Sequence, residues 1–148
     1  MTLDMFEPPP ADLNEALPDD EAPPLYPYQI EAVAAIRAEL ADKRSTVAVM
    51  ATGCGKTQVA SEVIRAWDGR CLFLAHREEL INQAARRIEQ FTGETPDIEM
   101  GDSRAPRRGQ RNVVASVQSI SRQNRLGGFD PGEFSLIVVD EVHHAAAR

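Results

Sequence analysis

Apolar and polar residues alternate along this chain in two textures, one of helical period and one of short continuous runs. Ile30, Val33, Ala34, Ile36 and Leu40 recur at near-helical spacing behind Pro27, which suits a first helical turn, so residues 28–41 are predicted as an amphipathic helix. Thr46-Val47-Ala48-Val49-Met50 follows as a β-type run and meets the Gly-rich stretch Ala51 to Thr57. A helix is expected from Lys56 to Trp67 and a buried strand at Cys71–Ala75. A further helix is expected from Glu78 to Phe91, with Leu80, Ile81, Ala84, Ala85 and Ile88 on one side. Strands at Asn112–Ser116 and Ser135–Val139 complete the pattern, and no internal repeat is seen. Short apolar strands separated by helices predict a parallel sheet with helices on both faces, an α/β architecture.

Composition narrows the class. The 148 residues are 43% hydrophobic, which suits one globular domain and excludes a largely disordered or collagen-like chain. No uncharged apolar run approaches the roughly 20 residues that span a bilayer, and the start of the chain lacks the basic and apolar regions of a secretory signal. Two cysteines, Cys54 and Cys71, are too few for a disulfide scaffold, so a cytoplasmic, reduced protein with no membrane partner is expected.

The net charge of −7 is concentrated at one end. Residues 1–24 hold seven acidic groups, six of the ten prolines and no Lys or Arg, and are expected to be a disordered tail. Two readings of it stand: a solvated leader, or an acidic arm that meets a partner or mimics DNA. Residues 25–148 carry 16 acidic and 16 basic groups, so the acidic balance does not argue against nucleic acid there.

The sharpest chemical signal is Gly53-Cys54-Gly55-Lys56-Thr57 between a strand and a helix. Two glycines let the backbone curl so that N–H groups face phosphate oxygens, and the helix N-terminus adds its positive dipole end. Lys56 can reach the outer phosphates, and the Thr57 hydroxyl can hold Mg²⁺. Lys56 is one of only two lysines among fourteen arginines. The full pattern G-x-x-x-x-G-K-[ST] asks for Gly where Met50 stands, so the reading depends on its context.

A second signal is Val138-Val139-Asp140-Glu141, two carboxylates at the end of an apolar strand, where ligands of α/β sheets gather. Asp140 suits a Mg²⁺ partner and Glu141 a base that orients or deprotonates water. The plain alternative is an acidic helix start. His76, His143 and His144 with the two cysteines form no recognisable zinc spacing.

Taken together, these segments resemble the first RecA-like, ATP-binding domain of superfamily-two helicases of DEAD/DEAH type, close to the helicase subunits of restriction enzymes. The resemblance covers about residues 25–147. It implies a P-loop NTPase that uses ATP and Mg²⁺ and acts on nucleic acid, DNA more than RNA. Leu25-Tyr26-Pro27-Tyr28-Gln29 looks like the upstream motif whose Gln reads adenine. Met50–Thr57 looks like motif I, whose first position need not be Gly. By resemblance Thr52, Gly53, Cys54, Gly55, Lys56 and Thr57 bind nucleotide. Cys54 departs mildly from the small residue often found there.

Leu72–Leu80 is similar to motif Ia, in which Arg77 meets the nucleic-acid backbone; the alternative is local pairing with Glu78 or Glu79. Val114–Ser119 resembles the next nucleic-acid motif, which makes Ser116 and Gln118 backbone ligands. Val138–Ala145 looks like motif II, in which His143 couples the nucleotide site to the rest of the machine. Arg104, Arg107, Arg108 and Arg111 form a basic stretch that either tracks phosphates or is simply solvated.

The resemblance also implies missing parts. In the family a further strand lies between those of motifs I and II, and a second RecA-like domain or subunit supplies arginine fingers. The sequence is therefore expected to be an incomplete domain, cut after motif II, whose sheet has a gap lined by unpaired backbone groups at roughly 1–3 kcal/mol each. The 148 residues alone are expected to turn over ATP slowly at best. The alternative function is a noncatalytic remnant that binds nucleic acid or protein. A small-molecule kinase shares the phosphate loop but gives no reason for the Gln29 and Arg77 segments.

Overall fold

The computed structural model describes residues 21–106, 109–122, 125, 127–130 and 132–140. Helices α1 (Pro27–Asp42), α2 (Lys56–Arg65), α3 (Glu78–Thr92) and the single turn α4 (Val117–Ile120) accompany strands β1 (Cys71–Ala75), β2 (Asp97–Glu99), β3 (Asn112–Ser116) and β4 (Leu136–Val139). The strands form one sheet in the order β2-β3-β1-β4, with every pairing parallel. This is the doubly covered α/β sheet expected of a RecA-like P-loop domain.

The pleat sorts the strand residues into two cores. Cys71, Phe73 and Ala75 of β1, Val114 of β3 and Leu136 of β4 face α1, α2 and α3, meeting Val33, Val59, Val63, Ile64, Ile81, Ala84 and Ile88. Leu72 of β1 and Val113 and Ala115 of β3 face the other way, onto Ile120 of α4 and the tilted ring pair Phe129–Phe134. Burial on both sides explains why β1 and β3 are continuously apolar instead of alternating. Gly93, at φ +73, ends α3 in the left-handed conformation that glycine accepts without strain.

Three local expectations change. Thr46–Met50 forms no strand, and Val47 and Val49 are 75% and 92% exposed. Among the described residues nothing pairs with the outer edge of β4, where Ile137 is 55% exposed, so the run has no ladder to join however β-prone its side chains are. Ile30 points outward on α1, while Gln29 and Val33 take the buried positions. Finally, α2 ends at Arg65, short of Trp67, where the Arg111 guanidinium takes the carbonyls of Ile64 (2.6 Å) and Trp67 (2.7 Å).

The sequence reading passed over β2 and α4, both too short for periodicity to reveal. Glu99 of β2 forms a buried ion pair with Arg125 at 2.8 Å and accepts from the Ala105 N–H, and the Ser119 hydroxyl of α4 accepts from the Gly101 N–H at 3.3 Å. Residues 1–20 of the acidic tail lie outside the described residues. No helix among the described residues is long and apolar enough to cross a membrane.

Phe73 is nearly fully buried on the central strand. Phe73→Ala is expected to lower unfolding stability by about 3–5 kcal/mol, read from urea denaturation.

Candidate nucleotide site and strand-end surface

The glycine-rich segment is a formed loop. Gly53 and Gly55 have φ of +85° and +71°, a region that other residues enter only with strain, and Gly55 is the N-cap of α2. The Cys54 N–H donates to the Ala51 carbonyl at 3.3 Å, which closes the turn. The N–H groups of Gly53, Gly55, Lys56 and Thr57 donate to no group among the described residues. Such a run of unengaged donors at a helix start, with an ammonium beside it, fits a polyphosphate. Thr52 is exposed, Lys56 and Thr57 are half-buried, and Cys54 is buried.

The loop is anchored to α1. The Gln29 amide nitrogen donates to the Cys54 carbonyl (3.1 Å) and to Gln58 Oε1 (2.8 Å), and Gln29 Oε1 accepts from the Tyr26 N–H (2.9 Å). The Tyr28 hydroxyl donates to the same Cys54 carbonyl at 3.2 Å, and the Tyr28 ring stacks on Tyr26 at 5.7 Å. Burial first, and then Cys54 and Tyr26, push the Tyr28 phenol above its ordinary range, so it remains a donor at neutral pH. Gln58 and Tyr28 escaped the sequence reading. Their only signal was proximity to the two motifs, because the contact spans 26 residues for Tyr28 and 29 for the Gln29–Gln58 pair.

Parallel pairing gathers the other candidates at one sheet edge. Ala75 is in register with Ser116 and Leu74 with Val139, and the Asp140 N–H donates to the Leu74 carbonyl at 2.9 Å. The residues that follow β1, β3 and β4 therefore emerge side by side: His76 and Arg77, Ser116 to Gln118, and Asp140. Arg77 is exposed at the N-cap of α3, and no ion pair among the described residues joins it to Glu78 or Glu79. Ser116 is buried, and its hydroxyl accepts from the Ser119 N–H at 2.9 Å, capping α4. Gln118 donates to the His76 carbonyl at 3.0 Å and so joins two of the strand ends. Asp140 is half-buried. Glu141, His143 and His144 lie outside the described residues.

Of the basic stretch, Arg111 turns inward. Besides capping α2, it donates to the Gly69 carbonyl at 3.1 Å, so its charge serves the fold. Arg104 is exposed, and Arg107 and Arg108 are not among the described residues.

Residues 22–148 match the family described as "Type III restriction enzyme, res subunit". The chain belongs to this family. The match spans all the motifs above. Similar relatives include "Putative mitochondrial ATP-dependent helicase irc3" of Schizosaccharomyces pombe, 36% identical over 132 residues, covering 83% of this chain and 21% of the relative. "DNA 3'-5' translocase XPB2" of Sulfurisphaera tokodaii is 33% identical over 120 residues, covering 81% of this chain and 25% of that protein. A "Type I restriction enzyme EcoAI endonuclease subunit" of Escherichia coli is 32% identical over 130 residues, covering 81% of this chain and 16% of that protein. The chain thus spans a quarter or less of the length of these relatives.

Within this family's phosphate loop Gly55 is the tightest position. A Cβ there would stand 2.3 Å from the Gln29 amide nitrogen and 2.7 Å from Gln58 Oε1, on a backbone at φ +71. Gly55→Ala is expected to cost at least about 1 kcal/mol in chemical denaturation and to weaken nucleotide binding measured by calorimetry.

Proposed function

We propose that this chain is the ATP-binding part of a nucleic-acid-dependent ATPase, a helicase or translocase that acts on DNA. The observation that carries the reading is the row of unengaged N–H donors at Gly53, Gly55, Lys56 and Thr57. Lys56 would neutralise the outer phosphates, and Thr57 and Asp140 would hold Mg²⁺, whose chemistry is to offset charge on the phosphate oxygens. Glu141 would orient the attacking water, and His143 would couple the site to the nucleic-acid surface. The relatives' printed names include DNA and RNA helicases alike, so the choice of DNA rests on the likeness to restriction-enzyme subunits. Arginine groups for the transition state would come from a second RecA-like domain or subunit. Two free, buried cysteines accord with a reduced, cytoplasmic setting.

On the strand-end surface Arg77 would contact the nucleic-acid backbone directly. Ser116 and Gln118 would contribute by shaping that surface, given the hydrogen bonds they already make.

Calorimetric titration with MgATP tests the nucleotide reading. Lys56→Ala is expected to weaken binding at least tenfold, about 1.4 kcal/mol, and Asp140→Asn to remove most of its Mg²⁺ dependence. Unchanged affinity in Lys56→Ala overturns the assignment. On single-stranded DNA, Arg77→Ala is expected to lower the slope of log affinity against log salt by about 0.7, the share of one phosphate contact.

A further inference from the structure

The residues that follow β2 reach the same edge of the sheet as those that follow β1, β3 and β4. Glu99 is in register with Ala115, the neighbour of Ser116, and the chain turns immediately afterwards. Met100 and Ser103 exchange two backbone hydrogen bonds, at 3.1 and 2.9 Å, which close the turn. Arg104 stands just past it and is exposed. Neighbouring strands lie about 4.8 Å apart, so the ends of β3 and β2 widen the edge beyond β1 by about 10 Å.

The single turn α4 bridges these strand ends. Gln118 donates to the His76 carbonyl behind β1 at 3.0 Å, and the Ser119 hydroxyl accepts from the Gly101 N–H behind β2 at 3.3 Å. Arg122 follows α4, its N–H donating to the Ser119 carbonyl at 3.4 Å, and its side chain is exposed. No ion pair among the described residues engages Arg104 or Arg122. One exposed carboxylate, Asp102, shares the turn after β2.

Buried charge fixes the two segments to each other. The Glu99 and Arg125 side chains are 4% and 8% exposed and pair at 2.8 Å. The Arg125 guanidinium also donates to the Gly101 carbonyl, and the second Glu99 oxygen accepts from the Ala105 N–H at 2.8 Å. The Arg125 N–H donates to the Arg122 carbonyl at 2.8 Å. The carboxylate thus holds the residue next to Arg104, and the residue that supplies the guanidinium holds Arg122. An apolar pair of similar volume would serve stability as well, but it would not fix these groups in one geometry.

We propose that Arg104 and Arg122 extend the nucleic-acid surface past Arg77 and α4 to the end of β2, each meeting one backbone phosphate, with Glu99–Arg125 as the positioning pair that places them. The contacts are to phosphate and carry no base preference. This rests on the reading of the strand-end edge as a nucleic-acid surface.

The experiment follows binding of a fluorescent single-stranded oligothymidylate to the 148-residue chain across a salt series. Arg104→Ala and Arg122→Ala are each expected to lower the slope of log affinity against log salt by about 0.7, and the double variant by about 1.4. Glu99→Leu combined with Arg125→Met removes the pair without stranding a buried charge. It is expected to lower the slope as the double arginine variant does, although both exposed arginines remain. A pair that served stability alone would shift the urea midpoint and leave the slope in place, which overturns the positioning role. If that variant does not fold, Ser119→Ala, which cuts the Gly101 tie, decides by the same slope. An unchanged slope in both Arg104→Ala and Arg122→Ala, with a lowered slope in Arg77→Ala, overturns the extension alone. A wild-type chain whose binding is absent or independent of salt overturns the nucleic-acid reading of the whole edge.

Discussion

Parallel hydrogen bonding of β1 to β3 on one side and to β4 on the other is the constraint on which the rest depends. Parallel strands all end at the same edge, so three chain segments that are distant in sequence deliver their following residues to one place. Arg77, Ser116 with Gln118, and Asp140 are neighbours for that reason alone. The same pairing requires both faces of the sheet to be covered, which recruits α1, α2 and α3 on one side and α4 with the Phe129–Phe134 pair on the other.

The phosphate loop obeys a different constraint. Its leading segment is outside the sheet, so strand pairing does not set its position. Packing of α2 against α1 and α3 does part of that work, and Met50 shares the large core cluster with Val138 of β4. Hydrogen bonds from Gln29 and Tyr28 to one loop carbonyl do the rest. The loop's two demands on the backbone, positive φ at Gly53 and Gly55 and close approach at Gly55, are met only by glycine.

Arginines differ in what they do for the fold in a way composition conceals. Arg111 caps α2, Arg125 neutralises Glu99, and Arg70 pairs with Glu133, so three arginines serve packing. Arg77 remains exposed at the strand-end edge. Three chemically identical side chains inside and one outside are told apart only by their surroundings.

The sequence by itself determined most of the framework. Continuous apolar runs at Cys71–Ala75 and Asn112–Ser116 had to be buried on both faces, and the Gly-Lys-Thr segment before a helix specified a phosphate loop through backbone conformation. These are local properties, set by side-chain period and by the torsions glycine allows. Tertiary structure alone decided the rest. Thr46–Met50 has the composition of a strand, but pairing needs a neighbouring ladder, and none lies there among the described residues. The partners of the Gln29 amide, Cys54 and Gln58, lie 25 and 29 residues away in sequence. The hydrogen-bond partners of a side-chain amide come from the folded chain, not from its own sequence neighbours, and folding placed both of those partners against Gln29.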